Sequence, residues 1–519
     1  MKKIFLTLVV ASTLFSCNDY LNEPNDTYSN NPLSLSVSPA QKLAATQKAL
    51  LDNEIISFNS FGNKMSYAYG LNSGFTSTDA AYKYNFTSDS YGTLFENSFV
   101  YTANCQDIIN TQAAFPLYAY HVAIAKILKV QGMEKIINLY GDAPYSQAFN
   151  SSNTTPKYDD DVAIYNSLLL LLDEARQQIV DADANSNMTP VTSAQDIVFG
   201  GDMAMWTKYA NTIELRMLLK LSNTTNAALV TLRTNRFAAL SNDFISTDVS
   251  YNPGFTGSTS LQSNPMFRVY GVNVAQSAWT SSNRANAAGD FMAKVLNGTY
   301  ASSDLVTTGV VDPRRARMFT LVGGVVTGSV QGTETSVAKS RLHAFVHGYT
   351  GTDAYANGTE RDAYVMLAAE SFFLQAEAVQ RGYLSGSAQT LFNQGIDASF
   401  DFYSRAFGTL VVAPITSTAY KAAINTKVGL GWAASTNKIS CIMTQKWLAL
   451  SQWTGIEPYF DMLRTGFPNA PLPSGVSQTT RPKRLVYPTS EYSSNSGNVI
   501  SVSQDELFSV NAKTPFYLQ

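Results

Sequence analysis

Charge is what this 519-residue chain has least of: Asp, Glu, Lys and Arg make up 14% of it, against roughly 25% in an average soluble protein. The signs nearly cancel, with 36 Lys and Arg against 39 Asp and Glu and a formal net charge of -3. Without a cationic excess the surface cannot neutralise phosphates, which excludes nucleic acid as a partner. Disorder is excluded too, because it needs high net charge and low hydrophobicity, and here 45% of residues are hydrophobic. Cysteine and histidine are equally scarce, at three each. So few cysteines cannot make a disulfide framework, and Cys105 and Cys441 read as small buried apolar residues. His343 and His347 stand four apart, which suits zinc on a helix, but their context (RLHAFVHGYTG) reads as strand or loop with no third ligand. No GxSxG, P-loop, GxGxxG or HExxH motif occurs. The sequence therefore implies neither a cofactor, a catalytic metal nor a catalytic residue set.

What the chain does have is aromatic residues, 28 Tyr, 28 Phe and 5 Trp. Its surface must be built largely from Ser, Thr, Asn, Gly and Tyr, which hydrogen-bond without charge and suit a neutral polar ligand. Lys2 and Lys3 precede an apolar run from Ile4 to Leu14, followed by Leu14-Phe15-Ser16-Cys17. The run is too short to span a bilayer and has the form of a signal-peptide core. A small residue then Cys at that point resembles a bacterial lipobox, with Cys17 acylated as the new N-terminus. Residues 1–16 are thus expected to be a lipoprotein signal peptide and 17–39, rich in Asn, Ser and Pro, a lipid anchor and tether. Residues 40–519 are expected to form a single domain.

Helical periodicity falls in two groups, 41–57, 117–139, 160–181 and 203–222, then 286–297, 361–382, 386–403, 416–426 and 438–464. Between them, about 240–360 is dense in Gly, Ser, Thr and Asn, with β-like runs such as Leu321–Val326. Within 371–399, Ala376, Val379, Ala388, Phe392 and Gly395 approximate the small/aromatic spacing of a tetratricopeptide helix pair. The expected fold is mainly α: a tetratricopeptide-like α-α superhelical scaffold with long loop-rich insertions and a few short β-hairpins.

Seven segments, in order, resemble the landmarks of the SusD/RagB family of nutrient-capturing outer-membrane lipoproteins. They are Asp19 to Asn25 (DYLNEPN); Tyr140 to Tyr145 (YGDAPY); the helix with Trp206, Lys208, Tyr209, Asn211 and Arg216; Asp312-Pro313-Arg314; Glu370 to Gly382 (ESFFLQAEAVQRG); Gln445-Lys446-Trp447 with Asp461, Arg464-Thr465-Gly466 and Pro468; and Arg484 with Tyr487-Pro488 and Glu491. Thr454 and Leu463 depart from the family's usual Asn and Arg. The resemblance implies a non-enzymatic lipoprotein of the outer membrane, anchored through Cys17 and facing the cell exterior. It also implies capture of oligosaccharides and their delivery to a SusC-like TonB-dependent transporter. Capture of a peptide or other non-glycan nutrient is the alternative on the same scaffold, and a surface hydrolase is a third reading.

The motifs themselves read as structural. Asp312 can cap a helix that starts at Pro313, and Trp206, Trp447 and Trp453 sit among apolar residues as core. Asp181, Asp183, Asn185 and Asn187 alternate like half an EF-hand loop, but Ser186 and Thr192 stand where Gly and Glu are needed. Glu370 and Glu377 would lie about 10.5 Å apart along one helix, beyond the roughly 5–9.5 Å of glycosidase pairs. They read as ties between helices. A neutral sugar is held by an aromatic face against its C–H side and by amides or Arg on its hydroxyls. Two loops offer this hardware: Asn72 and Phe75, continuing to Tyr82, and Tyr270 with Trp279, Asn283 and Arg284.

Overall fold

The computed structural model describes residues 37–76, 78–150, 152–343, 358–405 and 413–519. The signal segment, Cys17, the 19–25 motif, most of the tether and His347 lie outside the described residues. The chain enters its core at α1 (Pro39–Asn53), where Ser38 and Gln41 form a capping box and Pro39 takes the first position. A π-helical turn (Glu54–Phe58) joins α1 to α2 (Asn59–Met65). There follow α3 (Gly92–Asn110), α4 (Ala119–Tyr140), α5 (Asp161–Asp183), α6 (Met203–Lys220) and α7 (Ala227–Ala239). After the loop-rich stretch come α8 (Ala368–Gln380), α9 (Ala388–Ser404), α10 (Lys438–Leu450) and α11 (Ile456–Thr465).

The α8–α9 pair realises the tetratricopeptide-like spacing. Ala376 and Phe392 are buried, and a Cβ added at Gly395 would lie 2.7 Å from the Phe373 ring. Only glycine lets the two helices approach this closely. Helix α4 lies at the centre, with every residue from His121 to Tyr140 buried. A helix buried all round has no polar face, so its Lys, Glu, Gln and Asn must find partners inside the protein.

Several sequence expectations shift in detail. The 361–382 helix starts instead as strand β6 (Ala363–Met366), the 286–297 helix as β5 (Asn286–Ala288), and 438–464 breaks between α10 and α11, where Gln452 takes φ +77°. Among the described residues six short strands pair antiparallel in three two-stranded ladders: β1 (Tyr69–Leu71) with β5, β2 (Ala143–Pro144) with β3 (Tyr158–Asp159), and β4 (Val249–Tyr251) with β6. Most of this pairing joins segments remote in sequence, so the strands staple loops to helices. The 321–326 run does turn locally: Val322 bridges Val325 across Gly323 and Gly324, both with φ near that of a tight hairpin turn (63° and 82°).

Trp206, Trp447 and Trp453 are core residues; Trp206 donates to Asp196 at 2.8 Å and Trp447 to the Ser66 carbonyl at 3.1 Å. The helical turn after Asp312 starts at Arg315 with Arg314 as its N-cap, not at Pro313; Asp312 accepts the Arg314 N–H, and its carboxylate pairs with the Arg314 guanidinium at 2.7 Å. Arg314 in turn donates to Ser399 and lies 4.9 Å from the centre of the Phe400 ring. Cys105 and Cys441 are buried free thiols, pushed up to about 12 and about 11 by burial.

The helices are tied by a nearly dry ion network. Arg216 on α6 reaches Glu134 on α4 at 2.8 Å, Glu370 on α8 at 3.3 Å and Glu457 on α11 at 3.7 Å. Lys220 joins Glu457 at 3.0 Å, and Lys135 joins Glu54 at 3.0 Å. Lys446 on α10 meets Asp461 at 2.8 Å, while Arg464 bridges Asp461 and Glu377, each at 2.8 Å. Burial alone pushes the Glu457 carboxyl up, but Lys220 and Arg216 hold it down at about 2. Glu370 and Glu377 are thus helix ties, not an exposed acid pair.

At the start of α5, the carboxylates of Asp142, Asp160 and Asp161 lie within 4.8 Å of one another. Each accepts a backbone N–H: Asp142 from Asp161, Asp160 from Ala163, and Asp161 from Phe516 near the C-terminus. Burial, together with its two acidic neighbours, pushes Asp161 up to about 7.

Two predictions follow from these ties. Arg216→Met leaves three buried carboxylates without their shared cation and lowers denaturant-measured stability by about 3–5 kcal/mol. Lys208→Ala, which removes an exposed pair with Asp243, costs less than about 1 kcal/mol; equal losses would contradict the network's role. Because the raised Asp161 favours its protonated form in the folded state, its contribution is full below the unfolded value near pH 4 and disappears as pH rises to about 7. Asp161→Asn should therefore flatten the fall in thermal midpoint between pH 5 and 8, and an unchanged pH profile would contradict it.

Candidate ligand-binding site

The two loops singled out in the sequence lie side by side. Strand β1 pairs with β5 in the register Tyr69 to Ala288 and Leu71 to Asn286, so residues just after β1 meet residues just before β5. Asn72 closes the junction: its amide N–H₂ donates to the Arg284 carbonyl at 2.9 Å and its backbone N–H to the Ala285 carbonyl at 2.8 Å. Its side-chain oxygen accepts from the backbone N–H of Ser73 and of Lys339, at 2.8 and 3.0 Å. A third segment around 339–341 is thereby drawn in.

Trp279 sits on a tight turn that polar residues shape. Asn273 donates its N–H to the Ala278 carbonyl at 2.9 Å while its side chain accepts from Ser277 N–H at 2.9 Å. The Thr280 hydroxyl accepts from Asn283 N–H, capping the Ser281–Ala285 turn of helix, and donates to the Val269 carbonyl at 2.6 Å. The Trp279 ring is half-exposed, and the Arg341 guanidinium lies 4.7 Å from its centre. Arg341 also donates to the Asn283 side-chain oxygen at 3.3 Å, and burial lowers its pKa.

The selected residues separate into two layers. Trp279, Asn72 and Phe75 are half-exposed and Arg284 is exposed. Tyr270, Tyr82 and Asn283 are buried, at 2%, 2% and 1% exposure, and so lie beneath that surface. Asn283 donates to the carbonyls of Tyr270 and Leu342, at 2.6 and 3.0 Å. Tyr270 packs edge-on to Tyr69 at 6.2 Å, and burial pushes its phenol up to about 12. Burial likewise raises Tyr82. Asn283 and Tyr270 hold the loops in place through these contacts, because a buried amide or phenol has to serve the protein's own backbone and rings; the buried Tyr82 hydroxyl has no hydrogen-bond partner among the described residues.

Arg341 and Lys339 are the site residues that loop reading missed. They sit more than fifty positions from Trp279 in sequence, and long-range contacts bring them in: the bridge between Ala287 and Arg341, the Ala288 N–H on the Ser340 carbonyl and the Lys339 N–H on Asn72. The other candidate hardware is spoken for. His121 contacts Gln195, and His343 Nδ1 contacts the Ala316 carbonyl. Asp181 accepts from Gln177 and Asp183 from Tyr120. Among the described residues, the α5 carboxylates are the one acidic or histidine group with metal-ligand spacing, and each already caps a backbone N–H. No helix among the described residues is long and apolar enough to cross a membrane.

Comparison with known proteins agrees with this architecture. Residues 30–488 match the SusD-like family, described as "Starch-binding associating with outer membrane". A chitin-binding protein is similar in structure with a TM-score of 0.67 and 24% identity, covering 89% of this chain and 95% of its own. A chitin-binding SusD homologue from Flavobacterium johnsoniae has a TM-score of 0.66 and 21% identity over 88% of this chain and 94% of its own. A SusD homologue from Parabacteroides distasonis has a TM-score of 0.66 and 18% identity over 89% and 93%. No curated protein matches in sequence.

Proposed function

The chain belongs to the SusD-like family, and from that premise we propose that it is a cell-surface capture protein that binds a neutral oligosaccharide at the surface formed by Trp279, Arg284, Asn72 and Phe75. The observation that carries this reading is the junction itself. Two aromatic loops, about two hundred residues apart in sequence, are locked edge to edge by the β1–β5 ladder and by Asn72. In this reading the partly buried Trp279 ring, with Arg341 4.7 Å from its centre, packs against the C–H side of a sugar ring. The exposed Arg284 guanidinium supplies donors for hydroxyls, and the buried Tyr270 and Asn283 keep the surface preorganised. In this reading a lipid on Cys17 tethers the chain to the outer membrane, residues 40–519 act as one ligand-binding domain, and bound glycan passes to a SusC-like TonB-dependent transporter. Binding without turnover is expected, because Glu370 and Glu377 are committed to Arg216 and Arg464.

The similar chitin-binding proteins and the family description make N-acetylglucosamine oligomers and malto-oligosaccharides the first probes. In calorimetric titration of residues 18–519, Trp279→Ala should weaken the better of the two at least about tenfold, or roughly 1.4 kcal/mol. Lys208→Ala should bind like the parent. Unchanged affinity in Trp279→Ala would remove this surface from the account, and binding of peptides but no glycan would replace the oligosaccharide with a peptide cargo.

A further inference from the structure

A cleft of about 460 Å³ opens between α3, α4 and the segment after β2, a size typical of small-molecule sites. It shares no residue with the Trp279 surface. Gln106 and Asn110 line it from α3, Lys129 from α4, and Tyr145, Ser146 and Phe149 from the 145–150 segment.

Lys129 is the anomaly. It is 7% exposed, yet no carboxylate among the described residues pairs with it. Its neighbours on the same helix are treated differently: Lys126 meets Glu174 at 3.0 Å and Lys135 meets Glu54 at 3.0 Å. The Lys129 ammonium has one acceptor, the Gln106 side-chain oxygen at 2.6 Å. Two rings flank it, with centres at 4.6 Å (Tyr145) and 4.9 Å (Phe149). Rings and one amide compensate a buried ammonium only in part, and burial lowers Lys129 to about 8. The carboxylates flanking the loop in sequence are engaged by other groups: Asp142 accepts the Asp161 N–H, and Asp159 accepts the backbone N–H of Tyr145 and Ser146 and the Ser146 hydroxyl. Phe149 is held at φ +59°, costly for an aromatic residue, and stacks on Phe99. The loop is thus fixed over a cation whose counter-charge no described residue supplies.

We propose that this cleft is a second ligand site, for a hydroxylated carboxylate of monosaccharide size. The carboxylate pairs with Lys129 Nζ, which retains two N–H donors beyond the bond to Gln106. Asn110 and Asn150 at the mouth offer amide groups to the ligand's hydroxyls. Neutral sugars lack the group that would complete the ammonium's coordination, so the site selects acidic over neutral ones.

The test is a calorimetric titration of residues 18–519 with D-glucuronate and, separately, with D-glucose. The parent should bind glucuronate and bind glucose at least tenfold more weakly. Lys129→Met, which keeps the apolar stem between the rings, should lose glucuronate affinity at least tenfold while its affinity for the best neutral oligosaccharide stays unchanged. Because a core lysine variant can fail to fold, Asn110→Phe, which narrows the cleft from an exposed rim position, is measured beside it and should weaken glucuronate likewise. No glucuronate binding by the parent at millimolar concentration, or equal binding by a folded Lys129→Met or by Asn110→Phe, would overturn the second site. The neutral-oligosaccharide titration on the same variants keeps that outcome separate from the fate of the Trp279 surface.

Discussion

Buried charge has to be answered by opposite charge, and that requirement decides which helices of this protein are neighbours. Arg216 alone engages Glu134, Glu370 and Glu457 from three different helices, and Arg464 joins Glu377 to Asp461. A pair of this kind adds little net stability over a well-packed apolar core, since desolvation cancels much of the attraction. What it imposes is register. Sliding one helix by a turn would strand several charges at once, so the network discriminates against alternative packings more strongly than apolar contacts do. It also explains a chain with 14% charged residues: a notable share of them is spent inside, and the surface is left to neutral polar groups.

That scaffold leaves the proposed capture surface to segments outside it. The Trp279 turn, the β1–β5 junction and the 339–341 segment contribute no member to the ion network. They are held instead by amides, hydroxyls and rings: Asn72, Asn283, Thr280 and Tyr270. Such a division lets loop residues vary without disturbing the helices.

Much of this frame was legible in the residues. Strong periodicity marked α4, α5, α6 and α9, and Gly395 opposite Phe373 behaves as the small-residue spacing implied. Helix α3 escaped notice because Ser98 and Thr102 occupy core-facing positions between Leu94 and Cys105, which breaks the apolar stripe. Helix α7 buries only Leu229 and Phe237, too few to show a face. The motif residues Arg216, Glu370, Glu377, Lys446, Asp461 and Arg464 stood out in sequence, but their pairing is a long-range property that no local pattern carries. The site was legible only as two separate loops. Their meeting depends on strands of three residues, and the layering that buries Tyr270, Asn283 and Tyr82 depends on packing against other parts of the chain. Lys129 drew no attention because a lysine in a helix reads as a solvated residue until the neighbouring helices close around it.

The central claim, a charge-locked helical frame carrying a separate capture surface, is tested most directly by hydrogen exchange with and without the best-binding oligosaccharide. The account predicts that α4, α6, α8 and α11 exchange slowest in both states, and that the ligand adds protection at 69–75, 270–284 and 339–341. Ligand-induced protection confined to the network helices, or absent from 270–284, would contradict it.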